Sequence, residues 1–184
     1  MKNGYVLVIG GSGMLRKVCH YLNEKNGDVF VIGRNRSRLE AVKNSGRYPE
    51  RLHGISVDYE DSTRFGAALA DLFNKHGTPG LVVSWIHSTA PDALPLLKDM
   101  ITEHVLNADW RLFHIQGSAR FFEKENTSVP GNCLYRRVYL GFILDNDQSR
   151  WLTHDEISNG VIEAIDSDQE ETVVGTLEPW AKRP

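Results

Sequence analysis

Only two cysteines occur in 184 residues, Cys19 and Cys133, far apart and with no CxxC spacing. That excludes a zinc knuckle, a thioredoxin-type motif and a disulfide framework, and leaves both as packing residues. Charge of one sign is not in excess either: 21 Lys and Arg against 24 Asp and Glu give a formal net charge of −3. Nucleic acid or an anionic membrane surface would call for a clustered basic face, so neither is an expected partner. Long hydrophobic runs are also lacking. The opening run, Tyr5 to Ile9, is far shorter than a signal peptide's apolar region or the roughly 20 residues that cross a bilayer, so the expected location is cytoplasmic. His87, His104, His114 and His154 show no HxH or HxxxH spacing, and no metal site is expected.

With 41% hydrophobic and 24% charged residues, the chain has the make-up of one soluble globular domain spanning residues 1–184. Short β-branched runs alternate with amphipathic stretches. Tyr5-Val6-Leu7-Val8-Ile9 reads as a strand buried on both faces, and Met14, Val18, Tyr21 and Leu22 then share one helical face before Asn26-Gly27. Val29 to Ile32 is a second strand, Arg36 to Asn44 a short helix, and Leu52 to Asp58 a third strand. Phe65, Leu69, Leu72 and Phe73 mark another helix, Leu81 to Trp85 a fourth strand, Ala93 to Asn107 a longer helix, and Trp110 to Gln116 a fifth strand.

This pattern predicts an α/β fold: a doubly wound, mostly parallel sheet of the Rossmann type in three αβα layers. After the fifth strand it becomes irregular. Residues Ser118 to Asn132 carry turn formers and no helical face, so a full crossover helix is not expected there. Leu134 to Leu144 reads as a sixth strand, expected antiparallel at the sheet edge after a long hairpin loop. Thr153-His154-Asp155-Glu156 is a capping box for a helix through Ile157, Val161, Ile162 and Ile165, and Thr172 to Gly175 suits a last edge strand.

The chemistry gathers at the carboxyl ends of these strands. Gly10-Gly11-Ser12-Gly13-Met14-Leu15 follows the first strand and opens the first helix, where a dinucleotide pyrophosphate can approach backbone N–H groups at the positive helix end. A third glycine of the full fingerprint would stand at Arg16, which must therefore point outward or toward a phosphate. Gly33-Arg34-Asn35-Arg36 ends the second strand where an NAD-preferring domain places an acid for the ribose hydroxyls. Two guanidinium groups and an amide suit a 2′-phosphate instead, so NADP(H) is the expected cofactor; the alternative is a solvated basic helix start. Asp58, with Tyr59 beside it, is placed either to meet an adenine amino group or to cap the next helix. Trp85-Ile86-His87 lies where the cofactor ribose would pass. Ser118 is read either as a substrate contact near the nicotinamide or as a turn residue.

On these residues the chain resembles the short-chain dehydrogenase/reductase superfamily, especially atypical members whose glycine motif reads GGxGxxx, over roughly Lys2 to Ser118. The resemblance implies an NADP-type signature at Gly33-Arg34-Asn35, an adenine contact at Asp58 and a ribose contact along Trp85-Ile86-His87. It also implies a catalytic Tyr and a Lys four residues later on the helix after the fifth strand. The chain departs from the family there. Its one Tyr-x-x-x-Lys, Tyr21 to Lys25, falls on the first helix, behind the chemical edge. Ser118 aligns with the family's serine.

Beyond the fifth strand the aromatic and basic candidates are Lys124, Tyr135, Arg136, Arg137 and Tyr139. In a strand Tyr135, Arg137 and Tyr139 share one face, as replacement acids or, alternatively, as packed side chains. Two functions follow. One is an NADPH-dependent reductase of a small carbonyl or unsaturated substrate, with Ser118, Tyr135 and Tyr139 as catalytic candidates. The other is a non-catalytic NADP(H)-binding sensor or partner module. A homodimer is expected, because an apolar edge strand is safer covered.

Overall fold

The structure is a computed structural model that describes residues 4–105, 108–123, 127–146 and 148–184. Its centre is a parallel sheet of seven strands in the order β3-β2-β1-β4-β5-β6-β9. The strands are β1 (Val6–Ile9), β2 (Val29–Gly33), β3 (Leu52–Ser56), β4 (Leu81–Ser84), β5 (Trp110–Gly117), β6 (Cys133–Leu140) and β9 (Glu171–Val174). The helices are α1 (Arg16–Asn26), α2 (Arg36–Asn44), α3 (Ser62–His76), α4 (Ala93–His104), α5 (Ala119–Glu123) and α6 (His154–Ser167).

Both faces of the sheet are covered, which is why the central strands read as unbroken apolar runs. Val6 and Val8 join Val18 and Leu22 of α1, Leu39 and Val42 of α2, and Ile157 and Val161 of α6 in one core. Leu7 and Ile9 point the other way, to Phe65, Leu69 and Phe73 of α3 and Leu97 and Ile101 of α4. The alternation is the period-two geometry of a strand. Register brings the carboxyl ends of the middle strands level: Ile9 pairs with Ile32 on one side and Ser84 on the other, and Ser84 with His114. Chain leaving these ends forms one continuous edge, where ligands bind in open α/β sheets.

Two expectations are corrected. The sixth strand ends at Leu140, is parallel to both β5 and β9, and lies inside the sheet, not at its edge. The polar connection after β5, with the five-residue α5 in it, is long enough to return the chain to the amino edge, so a full crossover helix is not needed for parallel pairing. The chain then kinks at Gly141, and the remaining apolar residues form a separate antiparallel hairpin, β7 (Phe142–Asp145) with β8 (Gln148–Trp151). The helix expected to reach Asn107 ends at His104; Asn107 and Lys124 lie outside the described residues. Among the described residues no helix is long and apolar enough to cross a membrane.

Local chemistry sets the helix starts. Asn35 accepts from the Arg38 N–H, Asp61 from the Arg64 N–H, and Thr153 and Glu156 form the expected capping box. Asp61 therefore has the capping role for α3, and Asp58 does not. Asp58 instead closes the preceding turn, with its Oδ1 accepting from the Glu60 N–H at 3.0 Å. Replacing Phe65, fully buried under the sheet, by Ala is expected to cost about 3–5 kcal/mol in urea unfolding. The same change at Phe122, which is 48% exposed, should cost less than about 1 kcal/mol.

Candidate dinucleotide site at the carboxyl edge

A cleft of about 590 Å³ opens at the carboxyl edge, lined by Gly10, Ser12, Gly13, Met14, Gly33, Arg34, Asn35, Arg38, Tyr59, Trp85 and His154. Its floor is the turn between β1 and α1. Gly10 has φ +78°, and a Cβ there would stand 2.5 Å from the Trp85 carbonyl oxygen. A Cβ on Gly11 would meet Cys19 Sγ at 2.7 Å and Val31 at 2.8 Å. Gly11 and Cys19 thus provide the close helix–strand approach that a glycine at Arg16 would otherwise serve, and Arg16 is exposed. Beside Gly13 there is open space. Leu15, buried beneath the loop, gives α1 no side-chain cap, so this helix opens with its positive end toward the cleft.

Most of the residues expected to meet a cofactor line this one cavity: Gly10, Ser12, Gly13, Met14, Arg34, Asn35, Tyr59 and Trp85. Gly11 and Leu15 support it from below. Arg36 does not line it. It lies on the exposed side of α2, with Nε 3.3 Å from Glu40 Oε1, and Arg38 lines the cleft in its place. Asp58 stands behind Arg34, Oδ2 to Nη1 3.8 Å. Ile86 packs partly into the core, and His87 is exposed, its Nδ1 3.3 Å from Thr89 Oγ1.

His154 had no sequence signal as a site residue, since it is some 140 positions from the loop it approaches. The α6 helix brings it there. Ser158 Oγ donates to the Met14 carbonyl at 2.6 Å, and Lys17 pairs with Asp155 at 2.9 Å. The first turn of α6 is thereby held against the glycine loop.

Ser118, Tyr135 and Tyr139 do not line the cleft. Ser118 is buried, and its carbonyl accepts from the Phe121 N–H as the chain turns into α5. Tyr139 is buried edge-on against Phe121, with ring centroids 5.2 Å apart. Tyr135 packs into the α3/α4 side of the core, where its hydroxyl is 2.7 Å from His114 Nδ1. Burial raises the Tyr135 and Tyr139 phenols above their ordinary value. The Tyr21–Lys25 pair lies at the opposite edge, lining a second cavity of about 370 Å³ with Leu81 and Arg111. The Tyr21 hydroxyl donates to Asp166, which pushes it up to about 12, the wrong direction for a proton donor.

His114 is held neutral. Burial pushes it down to about 4, helped by the positive charges of Lys98 and Arg120. An unfolded histidine takes up its proton near 6.5, so the native state binds fewer protons between that value and about 4. Stability is complete above this window and falls with pH through it, by up to about 1.4 kcal/mol per pH unit. In urea unfolding at successive pH values, His114→Phe is expected to remove about one proton's worth of this slope.

No protein-family model matches the chain, and no curated protein matches it significantly by sequence. Many solved structures match by shape. A short-chain dehydrogenase/reductase described as glucose/ribitol dehydrogenase from Brucella melitensis superposes with a TM-score of 0.67 at 15% identity, over 94% of each chain. A β-ketoacyl-[ACP] reductase from Bacteroides thetaiotaomicron gives 0.67 at 14% identity, over 95% of this chain and 98% of that one. An NADPH-dependent reductase involved in bacilysin biosynthesis gives 0.70 at 14% identity, over 95% of this chain and all of the other. The chain has the Rossmann fold seen in short-chain dehydrogenase/reductase structures.

Proposed function

We propose that this chain binds NADP(H) at the carboxyl edge of its sheet. The observation that carries the reading is the convergence, in one cleft, of the glycine-rich Gly10–Gly13 turn, the uncapped start of α1, Arg34 at the end of β2 and Arg38 at the start of α2. The donor set fits the group. Backbone N–H groups at a helix start suit a diphosphate, and guanidinium groups suit a 2′-phosphate that an acid in the same place would repel. Tyr59 and Trp85 offer aromatic surface to the rings of a dinucleotide. His154 adds a donor opposite the loop, where the diphosphate would lie.

Within this reading the chain is an NADPH-dependent reductase of a small carbonyl or unsaturated compound, in keeping with the reductases whose fold it shares. The nicotinamide, when bound, supplies a hydride, and the protein supplies orientation and a proton. A second reading, a non-catalytic NADP(H)-binding sensor or partner module, is favoured by one observation: the Tyr135 hydroxyl, half-buried against the core, is engaged by His114 and does not line the cleft. Turnover of NADPH with a panel of small aldehydes, ketones and enones separates the two. Oxidation above the protein-free rate establishes the reductase, and tight binding without turnover establishes the sensor.

Fluorescence titration tests the cofactor. Arg34→Ala with Arg38→Ala is expected to weaken NADPH about ten-fold or more and bring it to the level of NADH, while Arg36→Ala leaves both unchanged. His154→Ala, acting at the part common to both nucleotides, should weaken NADPH and NADH by similar factors. Absence of binding to either nucleotide by the wild type would overturn the proposal.

A further inference from the structure

Arg34 does not stand alone at the adenosine end of the cleft. Its Nη1 is 3.8 Å from Asp58 Oδ2 and 3.8 Å from Glu60 Oε1. Both separations exceed a hydrogen bond, so the guanidinium is balanced electrostatically while its donors remain available to a ligand. The same Glu60 oxygen accepts a hydrogen bond from Thr89 Oγ1 at 2.6 Å, and Thr89 lies in the loop that leaves β4. One carboxylate therefore connects the chain leaving β2, β3 and β4 around the place where a 2′-phosphate would sit. Asp58 has half its carboxylate committed to the turn through the Glu60 N–H. Among the described residues the Glu60 carboxylate has no such backbone duty.

Charge at this spot nearly cancels. Arg34 and Arg38 bring two positive charges to the cleft, and Asp58 and Glu60 set two negative charges against Arg34. A 2′-phosphate arriving as a dianion is drawn by the first pair and opposed by the second. A ribose hydroxyl is neutral and meets no such opposition.

We propose that Glu60 is a specificity-determining residue of this site, its carboxylate limiting the preference for NADP(H) over NAD(H) by competing with the 2′-phosphate for Arg34. The proposal rests on the NADP(H) reading of the cleft. Glu60 acts on discrimination, not on the strength of dinucleotide binding as a whole. Its effect is carried by charge, so it fades as salt screens it, and the amide of Glu60→Gln can keep the hydrogen bond to Thr89 while removing the charge.

The test is a titration of wild type and Glu60→Gln with NADPH, NADH, adenosine 2′,5′-bisphosphate and adenosine 5′-monophosphate, with thermal midpoints to confirm equal folding. Glu60→Gln is expected to tighten NADPH and the bisphosphate about three-fold and to leave NADH and the monophosphate within about two-fold, as befits half-exposed pairs. The gain should shrink between about 50 mM and about 500 mM salt. Equal shifts for phosphorylated and unphosphorylated ligands, a weaker or unchanged affinity for NADPH, or a gain that ignores salt would overturn the role of Glu60 while leaving the cofactor reading intact. Failure of the wild type to bind either NADPH or the bisphosphate overturns the cofactor reading itself, and the role of Glu60 with it.

Discussion

The turn between β1 and α1 has no room for a side chain at Gly10 or Gly11, and the arrangement of the edge follows from that. At Gly10 the backbone meets the Trp85 carbonyl, and at Gly11 it meets Cys19 and Val31. This approach seats α1 directly against the sheet and levels the ends of β1 and β4. It also leaves the loop's outer side open to a ligand. A methyl group at Gly11 would push Cys19 and α1 away from Val8 and Val31, and one at Gly10 would force the turn off the Trp85 carbonyl; either shift displaces the helix start that faces the cleft.

How much of this was legible in the sequence depended on distance along the chain. The first five strands and their helices carry their own evidence in apolar periodicity and turn residues, and their alternation is enough to define the parallel sheet. The sixth strand could not be oriented the same way. Its β-rich composition shows that Cys133 to Leu140 is extended, but parallel pairing with β5 depends on where the polar connection carries the chain. An unbroken apolar reading through Gly141 also merged two strands that belong to different sheets.

The site was legible where a motif is local and illegible where folding brings distant residues together. Gly10 to Met14 and Arg34 follow strands directly, so their place at the edge comes with the topology. Arg36 and Arg38 differ by two positions on a helix, a rotation of about 200° that decides which one faces the cleft. The composition of Gly33 to Arg38 does not contain that information. His154 went unread for a similar reason: it reaches the cleft only through the contact of α6 with the glycine loop, as Glu60 reaches Arg34 only through the turn after β3. Tyr135 shows the converse. Period two placed it on the same face as Arg137 and Tyr139, but that face turns its hydroxyl toward His114.

The hydrogen bond from Ser158 to the Met14 carbonyl joins residues 144 positions apart, and it has a consequence for the order in which the protein is made. The glycine loop leaves the ribosome well ahead of His154 and the first turn of α6, which come only after nearly all of the sheet's strands. During synthesis the loop, β1 and β2 can associate while the wall supplied by α6 is still absent. A nascent chain therefore passes through a stage at which the cleft lacks His154 and part of the apolar core beside it is exposed, Val18 and Leu22 awaiting Val161. Docking of α6 covers this part of the core and closes the cleft in the same event.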